Sequence, residues 1–254
     1  MAKMRIELFL NSLQRHTYFE LALPNDAPNE SGRPLTTIFH LHGYTGKAEN
    51  WVSEELMKKY NIAVVSPTAE NSFYLDGRST GHAYATMVGE ELVDYVRRTF
   101  GIAQKPENTY IMGISMGGFG AVRTALAYPH VFGKVAGLSS ALIVHDIAHM
   151  KEGESNPMAN YAYYSECFGD LETVEESRNN PETLVKELKA AGKKLPEIYL
   201  CCGSEDFLVE PNRQFHQFLT EQGVAHEYHE SPGVHDDKFW AEYAPKAVEW
   251  FFSR

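Results

Sequence analysis

The residues best placed to do chemistry sit in TYIMGISMGGFGA, where Gly113, Ser115 and Gly117 form a G-x-S-x-G pattern. A β-branched and aromatic run precedes it and an Ala/Gly-rich helical run follows. That context predicts a sharp strand-to-helix turn holding the Ser115 hydroxyl exposed. Such a turn brings the residues two before and two after the serine into close approach, and glycine at 113 and 117 removes the side chains that would clash. At a helix N-terminus, Ser115 also meets unpaired amides and the positive end of the helix dipole, which favour a developing oxyanion. A phosphate-cradling loop is the rival reading. GISMGGFG lacks both the G-x-G-x-x-G spacing and the P-loop lysine, so that reading is set aside.

A serine hydroxyl needs a base, and an imidazole base needs a third group to fix its tautomer. With the nucleophile on a strand-to-helix turn, the expected chain order is serine, then acid, then histidine. His216 falls in a helical pattern, and His226 and His229 fall in or beside the last strand, Ala225–Glu230. His235 stands in a Pro-Gly loop, SPGVHD, ahead of the closing helix, and is the expected base. The strand EIYLCCG runs into Ser204-Glu205-Asp206, so Asp206 is the expected acid, with Glu205 as the rival and Asp170 a more distant candidate.

Backbone amides should complete the constellation. The loop after IFHLHG begins at His42-Gly43-Tyr44, and the amide of Tyr44 would pair with that of Met116 as an oxyanion hole. Phe73 and Tyr74, after the strand IAVVS, are candidate substrate-binding residues; loop packing is the plainer role open to them. His40 and His42 alternate on one strand face, but no carboxylate or cysteine stands at ligand spacing, so no metal is expected.

These side chains need a scaffold. Strands are expected at 5–12, 17–23, 36–41, 62–66, 109–114, 134–139, 197–202 and 225–230, alternating after the first pair with helices at 48–60, 85–100, 116–128 and 236–253. This is an α/β pattern: a mainly parallel sheet covered on both faces, with its site at the carboxyl ends of the strands. A turn-rich loop is expected over 24–34. Residues 141–195 carry no strand signal and read as a small helical insertion capping the site. It contains a helix with Asn180 as N-cap, Pro181 in its first turn and Gly192 beyond its end. The 254 residues are read as one domain.

Hydrophobic residues make up 43% of the chain and charged residues 22%, ordinary for a packed protein. The formal net charge of −11 speaks against nucleic acid and anionic membrane partners. Three cysteines (Cys167, Cys201, Cys202) without framework spacing point to a reducing compartment. The N-terminus does not read as a signal peptide, and no apolar run is long enough for a span, so a cytoplasmic enzyme is expected.

These segments together resemble an esterase family, esterase D-like α/β-hydrolases, that includes tributyrin esterases, feruloyl and acetyl-xylan esterases, S-formylglutathione hydrolase and the mycolyltransferases. The resemblance spans most of the chain, through IELFLNSLQRHTYFELALP, FHLHGYTG, TYIMGISMGGFGAVRTALAYPHVFG, GSEDFL and GVHDDKFW. It is nearest to tributyrin esterases; HGYTG departs from the esterase D loop. The resemblance implies an α/β-hydrolase fold with the roles above carried by Ser115, Asp206, His235, Tyr44 and Met116. It further implies hydrolysis of short acyl or aryl esters without a cofactor, and a possible homo-oligomer. Feruloyl or acetyl-xylan esterase and S-formylglutathione hydrolase activities are the enzymatic alternatives; an inactive binding scaffold is the non-enzymatic one.

Overall fold

The computed structural model describes residues 1–24 and 32–253. Of the turn-rich stretch expected at 24–34, residues 25–31 lie outside the described residues. Eight strands form one sheet in the order β1-β2-β4-β3-β5-β6-β7-β8: β1 (Ala2–Leu10), β2 (Arg15–Leu23), β3 (Thr36–Leu41), β4 (Ile62–Pro67), β5 (Thr109–Ile114), β6 (Lys134–Leu138), β7 (Glu197–Gly203) and β8 (His226–Ser231). Strand β2 runs antiparallel to both neighbours, and every other pairing is parallel.

The central strands β3, β4 and β5 are buried along their whole length, as expected where helices cover both faces. Edge strand β1 instead alternates exposed and half-buried residues. On one face, Ile38, Val64, Met112 and Ile114 pack against helices α1 (Glu54–Tyr60) and α9 (Asp237–Phe251). The opposite face packs Phe39, Leu41, Val65 and Ile111 against α3 (Leu92–Phe100), α4 (Met116–Ala127) and α8 (Val209–Glu221).

Three departures from expectation stand out. Strand β1 starts and ends earlier, because the hairpin turns over residues 11–14, with Gln14 at φ 51°. Helix α1 begins at Glu54 rather than near Ala48: Ser53 accepts the Leu56 amide, so the chain ahead of this cap stays outside the helix. The helix expected over 85–100 is continuous but not uniform. A short α2 (Tyr84–Thr86) passes through a π turn (Met87–Glu91) into α3, an inserted irregularity that 3.6-residue periodicity does not reveal.

Between β6 and β7 the described chain forms α5 (Val144–Ile147), α6 (Tyr161–Phe168), a 3₁₀ turn (Val174–Glu176) and α7 (Pro181–Ala190). Asn180 caps α7 by accepting the Glu182 amide, and Asn160 caps α6 by accepting the Tyr163 amide. Buried Tyr164, Phe168, Leu184 and Val185 join this segment to the core beneath.

Candidate active site

Ser115 lies between β5 and α4 with φ 58° and ψ −118°, a left-handed backbone that a non-glycine residue adopts only under constraint. The constraint is visible on both sides. The Ser115 amide donates to Leu138 O at 2.9 Å, and its carbonyl accepts from Ala141 at 2.9 Å and Phe119 at 3.1 Å. A Cβ at Gly113 would sit 2.1 Å from Gly117 O, and one at Gly117 would sit 2.1 Å from Leu41 O. Neither gap accepts a methyl group, so the two glycines are a steric requirement of the turn.

His235 reaches this turn from the loop between β8 and α9. Its Nε2 lies 3.0 Å from Ser115 Oγ, while its Nδ1 lies 2.9 and 3.0 Å from the two Asp206 carboxylate oxygens. A carboxylate accepts only, so it holds the imidazole proton on Nδ1 and leaves Nε2 to accept from the serine hydroxyl. Asp206 is 2% exposed. Burial pushes its carboxyl up, but hydrogen bonds from His235, the Leu208 amide and Ser139 outweigh this and hold it below the usual aspartate range. The imidazole is further confined by rings: the Trp240 ring stands perpendicular to it with centroids 4.9 Å apart, and the Phe207 ring centroid lies 4.5 Å away.

Of the other acids weighed from sequence, Glu205 turns away from the imidazole and binds the Gly233 amide at 2.9 Å. Asp170 lies in the insertion, where its side chain accepts the Glu172 amide.

The loop after β3 runs alongside Ser115; a Cβ at Gly43 would lie 3.6 Å from that of Ser115. The loop is held at several points. Gly46 donates to Gly43 O at 3.0 Å, Thr45 donates to Asn71 Oδ1 at 2.8 Å, and Tyr74 Oη donates to His42 O at 3.0 Å. His42 donates through Nδ1 to Gly43 O at 2.7 Å and accepts the Ala69 amide at Nε2 at 2.9 Å. Burial lowers its pKa, which keeps the ring neutral as that pattern requires. Among the described residues, the amides of Tyr44 and Met116 donate to no protein acceptor, so both are available to a ligand oxygen.

Beside Ser115 and Met116 lies a cavity of about 40 Å³, walled by Tyr44, Phe73, Ile143, Tyr163, Tyr164 and Leu208 among others. Phe73 thus borders this cavity. Tyr74 does not: it is 0% exposed, with its ring under Gly120 and its hydroxyl on His42 O. Both residues have positive φ, 52° and 56°, which breaks the usual alternation of the loop and turns Tyr74 inward. Exposed apolar side chains gather at the mouth: Phe207 at 61% and Met158 at 52% border the cavity, and Val234 at 47% adjoins His235.

Sequence reasoning singled out neither Tyr163 and Ile143 in the insertion nor Ser139 and Trp240. Ser139 is fully buried with φ 44° and accepts the Trp240 indole N–H at 3.1 Å, beside Asp206. No local motif marks any of the four; Phe207 alone was findable, by adjacency to Asp206. The three thiols are buried, and burial pushes Cys167 and Cys202 up to about 12 and Cys201 well up, so none is a ready nucleophile.

The sheet, the strained serine turn and the loops at the strand ends define an α/β-hydrolase. Residues 10–251 match the family model described as "Putative esterase", and the chain belongs to that family. It is similar to an acetyl esterase of Caldicellulosiruptor saccharolyticus, 39% identical over 260 residues and covering 98% of both chains. Among solved structures it is similar to FphF, the fluorophosphonate-binding serine hydrolase F of Staphylococcus aureus, with TM-score 0.85, 24% identity and 100% and 99% of the two chains covered. It is also similar to the S-formylglutathione hydrolase FrmB of Staphylococcus aureus, with TM-score 0.83, 24% identity and 99% of each chain covered. The protein is a carboxylic ester hydrolase. No described helix is long and apolar enough to cross a membrane.

Proposed function

We propose that the protein hydrolyses esters of short acyl groups, acetate foremost, through an acyl-enzyme on Ser115. The observation that carries this reading is the bridging of Ser115 and Asp206 by His235 at 3.0 and 2.9 Å, at the mouth of a cavity of about 40 Å³. One water-sized probe occupies about 10–15 Å³, so the cavity has room for a small acyl group such as acetyl.

In the first half-reaction Ser115 Oγ bonds to the ester carbonyl carbon as its proton passes to His235 Nε2. The Asp206 carboxylate stabilises the imidazolium, and the carbonyl oxygen, now anionic, receives the Tyr44 and Met116 amides. Collapse breaks the carbon–oxygen bond to the alcohol, which leaves with the proton returned by His235. Water repeats the sequence, with His235 taking its proton, and releases the acid and free Ser115. The alcohol portion faces the exposed rim of Phe207, Met158 and Val234, which suits aryl or otherwise apolar-faced leaving groups. The similarity to an acetyl esterase agrees with the small acyl cavity.

A panel of p-nitrophenyl esters from acetate to octanoate tests the reading. It expects kcat/KM to be highest for acetate and to fall with chain length. Equal or rising values toward octanoate would refute the acyl assignment.

A further inference from the structure

Behind the small acyl cavity lies a second, larger one. It has a volume of about 260 Å³ and is bordered by Ser72, Leu75, His82, Tyr84, Glu166 and Cys167 among others. Tyr163 lines both cavities, and no other described residue does. The larger volume exceeds the roughly 150 Å³ that suffices to admit benzene.

We propose that Tyr163 is the partition that limits acyl length, and that the cleft behind it is a closed-off extension of the acyl site. The inference rests on the reading that the small cavity receives the acyl group. Tyr163 is braced in this position. Its hydroxyl donates to Asn71 O at 2.7 Å, and its ring meets Tyr44, Phe73 and Tyr164 at 5.9, 6.3 and 5.4 Å. Its amide is held separately by the Asn160 cap, so helix α6 does not depend on the ring.

The cleft beyond suits an apolar chain despite its carboxylates. Glu166 is engaged by the Ser79 amide and hydroxyl and by His82, at 2.9, 3.0 and 3.0 Å, and Glu70 pairs with Arg15 at 2.9 Å. Leu75, Tyr84 and Cys167, each buried, supply an apolar floor. Both carboxylates are thus engaged by protein groups, and apolar side chains face the space.

The test compares kcat/KM for p-nitrophenyl octanoate and acetate in the wild type and in Tyr163→Ala and Tyr163→Phe. Tyr163→Ala raises the octanoate-to-acetate ratio at least about tenfold, the scale on which pocket shape discriminates alkyl groups. Tyr163→Phe keeps the ring and therefore the wild-type ratio. Adding His82→Trp to Tyr163→Ala refills the outer cleft and cuts the gain back. Circular dichroism and fluorophosphonate labelling confirm that each variant is folded; Tyr163→Leu gives the same reading should the alanine variant not fold. An unchanged ratio in a folded small-side-chain variant overturns the partition, as does a gain that His82→Trp leaves untouched. A wild type that already favours octanoate refutes instead the acyl assignment on which the proposal rests, so the two failures are told apart before any variant is made.

Discussion

Glu205 and Gly233 are stapled reciprocally: the Glu205 carboxylate accepts the Gly233 amide at 2.9 Å, while the Glu205 amide donates to Gly233 O at 3.0 Å. The staple joins the loop that carries Asp206 to the loop that carries His235. Glu205 is therefore a positioning residue, one step removed from the proposed triad.

Replacing Glu205 with Ala removes half of the staple and lets the base loop drift. A displacement of 1 Å at reacting groups costs about 10²-fold. Because the backbone half of the staple survives, kcat should fall by roughly tenfold with KM little changed. Steady-state kinetics on p-nitrophenyl acetate checks this, and an intact kcat would remove Glu205 from the account.

Tyr74 is predicted to matter to the proposed oxyanion loop although it is fully buried. Tyr74→Phe strands the buried His42 carbonyl, which costs about 1–2 kcal/mol of stability. Chemical denaturation should show this together with a few-fold loss in kcat. Were Tyr74 instead a substrate-binding side chain, KM would rise while stability held.

Gly117→Ala is a steric prediction. Its Cβ would meet the Leu41 and His42 carbonyl oxygens at 2.1 and 2.6 Å, both backbone atoms that cannot swing aside. Overpacking of this kind costs about 1–3 kcal/mol or more. The strain falls on the strand that leads into the oxyanion loop, so activity should drop further than stability. A variant as active as wild type would contradict the close packing at this turn.

The insertion should loosen at alkaline pH. His145 on α5 is held by Glu182 of α7 at 3.0 Å and by Glu175 of the 3₁₀ turn, with Asp146, His149 and Glu172 nearby. The hydrogen bond that its ring donates to Glu182 raises its pKa most; burial opposes this and Glu175 adds to it, and the result is about 9. A folded pKa above the unfolded one means stabilisation that is complete below about 6.5 and lost as pH rises through 9. His145 is 39% exposed, so the effect is screened to less than about 1 kcal/mol, a Tm difference of roughly 1–3 °C. His145→Gln should lower Tm at pH 6 and leave it unchanged at pH 10; the reverse order would exclude a stabilising role for protonated His145.

Features encoded in a few adjacent residues were open to sequence reading. The serine turn announces itself because its steric demand falls on Gly113 and Gly117, two positions either side. The Pro-Gly loop placed His235 at a strand-to-helix junction without reference to the rest of the chain. Asp206 and Glu205 share one strand end, and only the direction each side chain takes separates them. Tyr74 defeated the reading because two successive left-handed residues reverse its facing. Tyr163 had no signal at all: its position depends on how the insertion folds back on Asn71, 92 residues away.

In the proposed reaction Ser115 Oγ is the atom that carries the acyl group. The most direct measurement is mass spectrometry of the protein after reaction with a fluorophosphonate, with the adduct mapped by peptide. One adduct is expected, on the peptide containing Ser115, absent in Ser115→Ala together with a loss of at least about 10⁴-fold in acetate hydrolysis. An adduct on another residue, or labelling and turnover that survive in folded Ser115→Ala, would contradict it.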